Sequence, residues 1–97
     1  MAFIKNAFHA EIICAPRNLV VPIPEALGFD AACTVTLGAI ALQGVRRLSP
    51  SLGEIFTVIG LGILGQLTAQ ILWANGCKVI GLDTDAARSQ MAKDAGM

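Results

Sequence analysis

Charge is scarce in this sequence, and none of it is concentrated. Charged residues make up 14% of the 97 residues, and seven Lys and Arg balance seven Asp and Glu. The densest basic group is the pair Arg46 and Arg47. Because nucleic acid is bound by a basic patch or stripe, the composition excludes it as an expected partner. With 55% apolar residues, the chain is too hydrophobic for disorder and has the length of one small domain.

Residues that bind metals or form disulfides are also few. His9 is the single histidine, and the three cysteines, Cys14, Cys33 and Cys77, lie far apart without a C-x-x-C pair. An odd number of separated cysteines excludes a disulfide framework and a local zinc site. We therefore expect three buried free thiols and a structural or surface histidine.

No uninterrupted apolar run is long enough for a membrane span. The most apolar stretch, residues 55–74, contains three glycines and several polar side chains, which favours a strand, a turn and a helix instead. Residues 1–10 contain no apolar run of signal-peptide length. We expect no membrane partner and a cytoplasmic location.

The first half of the chain predicts irregular and extended segments followed by a helix. β-branched residues that end at Pro16 predict a strand over residues 7–15, and prolines place the extended run 19–24 at a sheet edge. Apolar spacings of three and four predict a helical turn at 29–33 and a helix over 37–48, before a loop at 49–54.

The second half has the order strand, glycine turn, helix, strand, acid, helix. The predicted segments are a strand at 55–59, a turn at 60–65, a helix at 63–74, a strand at 78–82 and a helix at 85–95. The sequence G-x-G-x-x-G leaves the first strand directly, and Asp83 follows the second. Together these features satisfy the conditions for a dinucleotide-binding fingerprint.

Each glycine of the turn has a distinct expected role. Gly60 permits the tight turn, Gly62 lets a cofactor pyrophosphate approach the backbone, and Gly65 lets the helix pack closely on the strand. The N–H groups at the helix start then face the phosphates. The expected cofactor-binding residues of the turn are Gly60, Leu61, Gly62, Ile63, Leu64 and Gly65.

Asp83 is the expected partner of the adenosine ribose hydroxyls. A carboxylate there favours NAD over NADP, because a 2′-phosphate beside it would meet a like charge. Thr84 and Arg88 complete the candidate site, and Arg88 is equally compatible with a solvated helix face. The alternative is that the glycines only allow close packing in an α/β unit and that Asp83 only caps the last helix, a role for which Asp85 is equally suited.

The whole pattern resembles the zinc-type medium-chain alcohol dehydrogenase/reductase superfamily. The matching segments are FHAEI at 8–12, APRNL at 15–19, IPEAL at 23–27, AA at 31–32, GAIAL at 38–42, LGE at 52–54, VIGLGILG at 58–65 and VIGLD at 79–83. The resemblance implies an α/β chain in which a partial Rossmann fold follows the C-terminal strands of a GroES-like barrel and a crossing helix. Residues 1–30 would be the tail of the GroES-like catalytic domain, residues 31–52 the connecting helix, and residues 53–97 the βαβα start of the Rossmann domain.

The resemblance further implies a fragment of an NAD-dependent alcohol or carbonyl oxidoreductase that is inactive alone and supplies no catalytic residue. The superfamily's third zinc-ligand position falls on Val35 or Thr36, and Cys33 lies too early, so zinc in the parent is doubtful and not ligated by this chain. The alternative is a nucleotide-binding or structural module without redox activity. A third possibility is a short-sheet core without a ligand, for which unpaired strand edges and the apolar composition predict self-association.

Overall fold

The chain folds into two compact units, Met1–Thr36 and Leu37–Met97. The computed structural model describes residues 2–4 and 11–96. Elements are numbered in chain order: β1 (Ala2–Ile4), β2 (Val20–Pro22), α1 (Phe29–Ala32), α2 (Val35–Leu48), β3 (Ile55–Ile59), α3 (Ile63–Ala74), β4 (Lys78–Leu82) and α4 (Ala86–Asp94).

The first unit contains a small antiparallel sheet. β1 pairs with β2, with Phe3 opposite Val21, and Pro22 ends β2 at the edge of this two-stranded sheet, as the prolines predict. The strand predicted over 7–15 is wrong for residues 11–15, which form a bend and irregular backbone, and residues 7–10 with His9 lie outside the described residues. The side chain of Ile12 is 91% exposed, so this β-branched residue makes little contact with the described part of the chain.

The second unit is a mixed α/β arrangement around a parallel sheet. β3 and β4 run parallel in a continuous register from Ile55 opposite Lys78 to Ile59 opposite Leu82, and α3 connects them. The predicted bounds of β3, α3 and β4 are confirmed, and α2 begins two residues before its predicted start. This arrangement is compatible with a partial Rossmann-like fold.

The core lies on one face of the parallel sheet. Phe56, Val58 and Val79 pack against a buried cluster of Val45, Leu72 and Cys77. Because side chains alternate between the two faces of a strand, the intervening residues lie on the other face. That open face carries the exposed side chains of Ile55, Ile59, Ile80 and Leu82.

The thiols differ in their surroundings. All three cysteines are free, but only Cys77 is buried, and the expectation of burial is wrong for Cys14 and Cys33, which are exposed. Among its described residues the first unit buries only Ala32, and so small an interior cannot enclose them. Within the described part of the chain, no helix has both the length and the apolar character to cross a membrane.

Candidate functional site

The glycine turn and Asp83 lie side by side because β3 and β4 are parallel neighbours. Gly60 follows β3 and Asp83 follows β4, so both lie at the carboxyl edge of the sheet. The ladder extends one step further, since the N–H of Gly60 donates to the carbonyl of Leu82 across 2.7 Å. Gly60 has φ +89°, a backbone conformation that is disfavoured for residues with a Cβ. The turn therefore needs glycine at this position.

Gly65 and Gly62 differ in what an added Cβ would meet. A Cβ on Gly65 would collide with the carbonyl group of Gly60, so glycine there lets the first turn of α3 pack closely against the glycine turn. A Cβ on Gly62 would meet no atom within 4 Å, and its φ of −68° and ψ of −173° suit any residue. The fold of this chain therefore does not itself require glycine at position 62.

The carboxylate of Asp83 joins the loops that follow the two strands. Its Oδ2 accepts from the N–H of Leu61 at 2.6 Å, and its Oδ1 accepts from the N–H of Asp85 at 2.8 Å. The side chain is only 5% exposed. The N–H of Asp85 is the main cause that lowers the pKa of Asp83 below the ordinary 3.8, followed by the N–H of Leu61, while the Arg88 guanidinium adds a smaller contribution. Asp83 is therefore ionised at neutral pH.

Arg88 contacts two carboxylates from the first turn of α4. Its guanidinium lies 3.7 Å from Asp83 and 3.6 Å from Asp85, and its side chain is 54% exposed. Asp85 is the N-cap of α4, since its Oδ1 accepts from the N–H of Ala87 at 2.9 Å. The helix thus has its own cap, and the Asp83 carboxylate holds the glycine turn instead.

A cavity of about 460 Å³ opens at this edge of the sheet. It brings together Gly60, Asp83, Thr84 and Arg88 from the predicted site with two apolar side chains, Ile59 and Leu82. Its volume falls in the range of small-molecule sites, which combine apolar walls with a few placed polar groups. The predicted residues Gly62, Ile63, Leu64 and Gly65 lie outside the lining of this cavity, at the start of α3.

Leu61 contributes its backbone rather than its side chain to this edge. The side chain is 2% exposed, and both of its δ carbons lie 3.0 Å from the position that a Cβ on Gly81 would occupy. The absence of a side chain at Gly81 thus makes room for Leu61. In contrast, Ile63 and Leu64 are 54% and 42% exposed.

Gln66 belongs to the site, although its role was not predicted from the sequence. It is 8% exposed, and its Nε2 donates to the carbonyl of Leu61 at 3.2 Å and to that of Arg88 at 2.8 Å. The sequence does contain a signal for this role. Residues 66, 69 and 72 share the buried face of α3, and Gln66 is the polar residue among them. A polar side chain on an apolar helix face indicates an internal hydrogen bond.

Comparison with known proteins identifies relatives of this chain. No family model matches the chain. It is 30% identical over 95 residues to an uncharacterized zinc-type alcohol dehydrogenase-like protein of Escherichia coli (strain K12), a match that covers 96% of the chain and 27% of that protein. It is 29% identical to an alcohol dehydrogenase of Geobacillus stearothermophilus, over 91% of the chain and 26% of the enzyme. It is 30% identical to an (R,R)-butanediol dehydrogenase of Neisseria gonorrhoeae, over 91% of the chain and 25% of the enzyme.

The chain belongs to the zinc-type medium-chain alcohol dehydrogenase/reductase superfamily. It spans about a quarter of the length of the curated relatives it matches. The aligned segment includes almost all of the residues described above.

The described residues of this superfamily member include no cluster of three potential metal ligands. Within residues 2–4 and 11–96, no three His, Cys, Asp or Glu side chains are grouped so that they could hold a metal ion. Val35 and Thr36 begin α2, and neither side chain is a zinc ligand of the usual kind. The thiol of Cys33 donates to the carbonyl of Asp30 at 3.0 Å. No chemical step through zinc follows from this part of the chain.

Proposed function

We propose that this chain supplies the adenosine-diphosphate half of the cofactor site in an NAD-dependent alcohol or carbonyl oxidoreductase of the medium-chain type. The observation that carries the proposal is the ionised carboxylate of Asp83, which is fixed beside the glycine turn by the N–H of Leu61. In this proposal residues 1–30 are the tail of a GroES-like domain, residues 31–52 connect it, and residues 53–97 begin a Rossmann domain.

The start of α3 is the proposed pyrophosphate site. The N–H groups of a helix N-terminus are free to bind an anion, and the helix dipole favours negative charge there. The open space at Gly62 supports this role, because the fold leaves room where a Cβ would otherwise project. Leu61 has a buried side chain, so the proposed contacts of the turn with cofactor are made by the backbone.

Asp83 is the proposed ribose ligand. Each carboxylate oxygen accepts one backbone N–H, which leaves lone pairs for the 2′ and 3′ hydroxyls. The cavity that Asp83 lines with Ile59 and Leu82 offers apolar walls beside the carboxylate, which suits a nucleoside. When bound, the nicotinamide cofactor supplies the hydride chemistry, and the residues of this chain bind and orient it.

The electrostatics favour NAD over NADP. The lowered pKa of Asp83 keeps its charge at neutral pH, so a 2′-phosphate would be repelled at short range. Arg88 is close to both Asp83 and Asp85, and its positive charge is already balanced by these carboxylates. In the proposed parent enzyme the substrate is a small alcohol or carbonyl compound, and the catalytic residues lie outside this chain.

The test is calorimetric titration of the chain with NAD, NADP and ADP. We expect NAD to bind, NADP to bind at least tenfold more weakly, and Asp83→Ala to weaken NAD binding. Gly62→Val should remove binding without unfolding the chain, because its Cβ projects into open space. Gly28→Val is the matched control, since Gly28 is also a helix N-cap with φ −68° and open surroundings.

The outcomes separate the two candidate functions. Binding of both NAD and ADP with NADP weaker, lost in Gly62→Val and kept in Gly28→Val, supports the cofactor half-site. Equal affinity for NAD and NADP contradicts the ribose role of Asp83 and favours a nucleotide-binding module without redox activity. A folded chain that binds none of the three ligands contradicts the cofactor half-site and supports the structural module.

A further inference from the structure

Gln66 lies where helix α3, the glycine turn and helix α4 meet. Its side chain is more than nine-tenths buried, and its single amide nitrogen donates to a carbonyl of the turn and a carbonyl of α4. Those carbonyls belong to Leu61, whose N–H donates to Asp83, and to Arg88, whose guanidinium lies beside Asp83. Through these contacts Gln66 is linked to the glycine turn, where the pyrophosphate is proposed to bind, and to the surroundings of Asp83, the proposed ribose ligand.

The orientation of the Gln66 amide is fixed by its neighbours. Both partners of Nε2 are carbonyl oxygens, so the nitrogen must face them and Oε1 must face away. Oε1 is buried and has no hydrogen-bond partner among the described residues. A buried acceptor without a partner lowers stability relative to an apolar side chain of the same shape. The amide nitrogen thus satisfies two backbone carbonyls while the amide oxygen remains unpaired.

The Leu61 carbonyl and the Gly62 N–H belong to one planar peptide group. In a trans peptide the two point in opposite directions. Because the buried Gln66 donates to the carbonyl of Leu61, the N–H of Gly62 points away from the Gln66 amide. The preceding peptide is held as well, since its N–H donates to Asp83. The direction of the Gly62 N–H is thus determined by Gln66 and Asp83 together.

We propose that Gln66 is a positioning residue for the dinucleotide, which aims the Gly62 N–H at the pyrophosphate and fixes α4 so that Arg88 stays beside Asp83. This inference rests on the proposed function. In this role Gln66 does not itself contact the cofactor. Its effect on binding passes through the backbone of Leu61 and Gly62 and through the carbonyl of Arg88.

Three variants test this role. Gln66→Met removes both hydrogen bonds at similar side-chain length and removes the buried acceptor. Gln66→Glu restores a donor only when the carboxyl group is protonated, because the ionised form would face two carbonyl oxygens. Gln70→Met is the matched control, since Gln70 lies on the exposed part of the same helix.

NAD affinity is measured by calorimetry between about pH 5 and pH 8. This range is chosen because burial is expected to raise the pKa of the carboxyl group introduced by Gln66→Glu. We expect Gln66→Met to bind NAD about tenfold more weakly under conditions in which circular dichroism shows that the chain remains folded. The affinity of Gln66→Glu should fall as the pH rises, whereas that of the unsubstituted chain stays flat. The backbone amide resonance of Gly62 should shift in Gln66→Met without ligand.

Each remaining outcome contradicts the positioning role of Gln66, the proposed function of the chain, or both. If the unsubstituted chain binds NAD and Gln66→Met binds it equally well, the inference is wrong and the proposed function stands. Equal weakening by Gln70→Met, or a pH-independent Gln66→Glu, also overturns the inference, because it indicates a general disturbance of α3. If the unsubstituted chain does not bind NAD, the proposed function fails, and the positioning role fails with it.

Discussion

The N–H of Leu61 donates to Oδ2 of Asp83 across 2.6 Å, and this bond connects two residues that are 22 positions apart. It ties the turn after β3 to the loop after β4 at the carboxyl edge of the sheet. Asp83 thus has a structural role that can be measured without any ligand, in addition to its proposed contact with ribose.

The first prediction concerns acid. Because the pKa of Asp83 is lower in the folded chain than its ordinary 3.8, ionised Asp83 stabilises the fold above that pH. This contribution is lost as the pH falls through the lowered pKa. Asp83→Asn should therefore be less stable than the unsubstituted chain near neutral pH, and the difference should shrink in acid. Urea unfolding between about pH 2 and pH 6 measures this.

Asp30→Asn is the control for the acid experiment, because Asp30 is exposed and lies in the first unit. Its stability should follow that of the unsubstituted chain at every pH. A difference between Asp83→Asn and the unsubstituted chain that stays constant down to about pH 2 would contradict the assigned hydrogen bonds.

The second prediction concerns the close contact at Gly65. Since an added Cβ would collide with the carbonyl group of Gly60, Gly65→Ala should lower the free energy of unfolding by about 1–3 kcal/mol. Gly44→Ala, in α2 with no atom within 4 Å of the added Cβ, should raise it by up to about 1 kcal/mol through helix propensity. Urea unfolding of both variants at one pH makes the comparison, and equal effects would refute the assigned contact.

The third prediction concerns self-association through the open sheet face. Ile59 and Ile80 are 83% and 50% exposed on that face, and both strands of the two-stranded sheet have an unpaired edge. Such surfaces favour pairing between chains. Sedimentation velocity should show a concentration-dependent dimer or larger species, and Ile80→Lys should shift it towards monomer. Ile12→Lys, at a residue that is 91% exposed in the other unit, should leave the distribution unchanged.

The second unit could be predicted from sequence because its signals are local. The run 55–59, the glycine turn and the helix that follows are contiguous, and the structure gives β3, α3 and β4 the predicted bounds. The first unit depends on pairing between Ala2–Ile4 and Val20–Pro22, a contact between distant segments that local periodicity does not encode. The β-branched residues before Pro16 predicted a strand from local pattern alone, but residues 11–15 do not form one.

The residue types of the candidate site could be predicted from the sequence, but most hydrogen bonds between those residues could not. Glycines and an acid at set spacings identify the edge of the sheet, and Asp85 proved to be the cap of α4. The hydrogen bonds of Gln66 to Leu61 and Arg88 depend on how two helices and a turn pack together. The sequence marks Gln66 as a polar residue on a buried face but does not identify its partners.

The two backbone hydrogen bonds to Asp83 also affect the kinetics and thermodynamics of the proposed nucleotide binding. A carboxylate already immobilised at 5% exposure loses almost no rotational freedom when hydroxyl groups reach it, because its ordering accompanies folding. Association at this edge of the sheet should then proceed without a slow rearrangement of the acidic side chain. Differences in affinity among nucleotides would accordingly arise mainly in their dissociation rates.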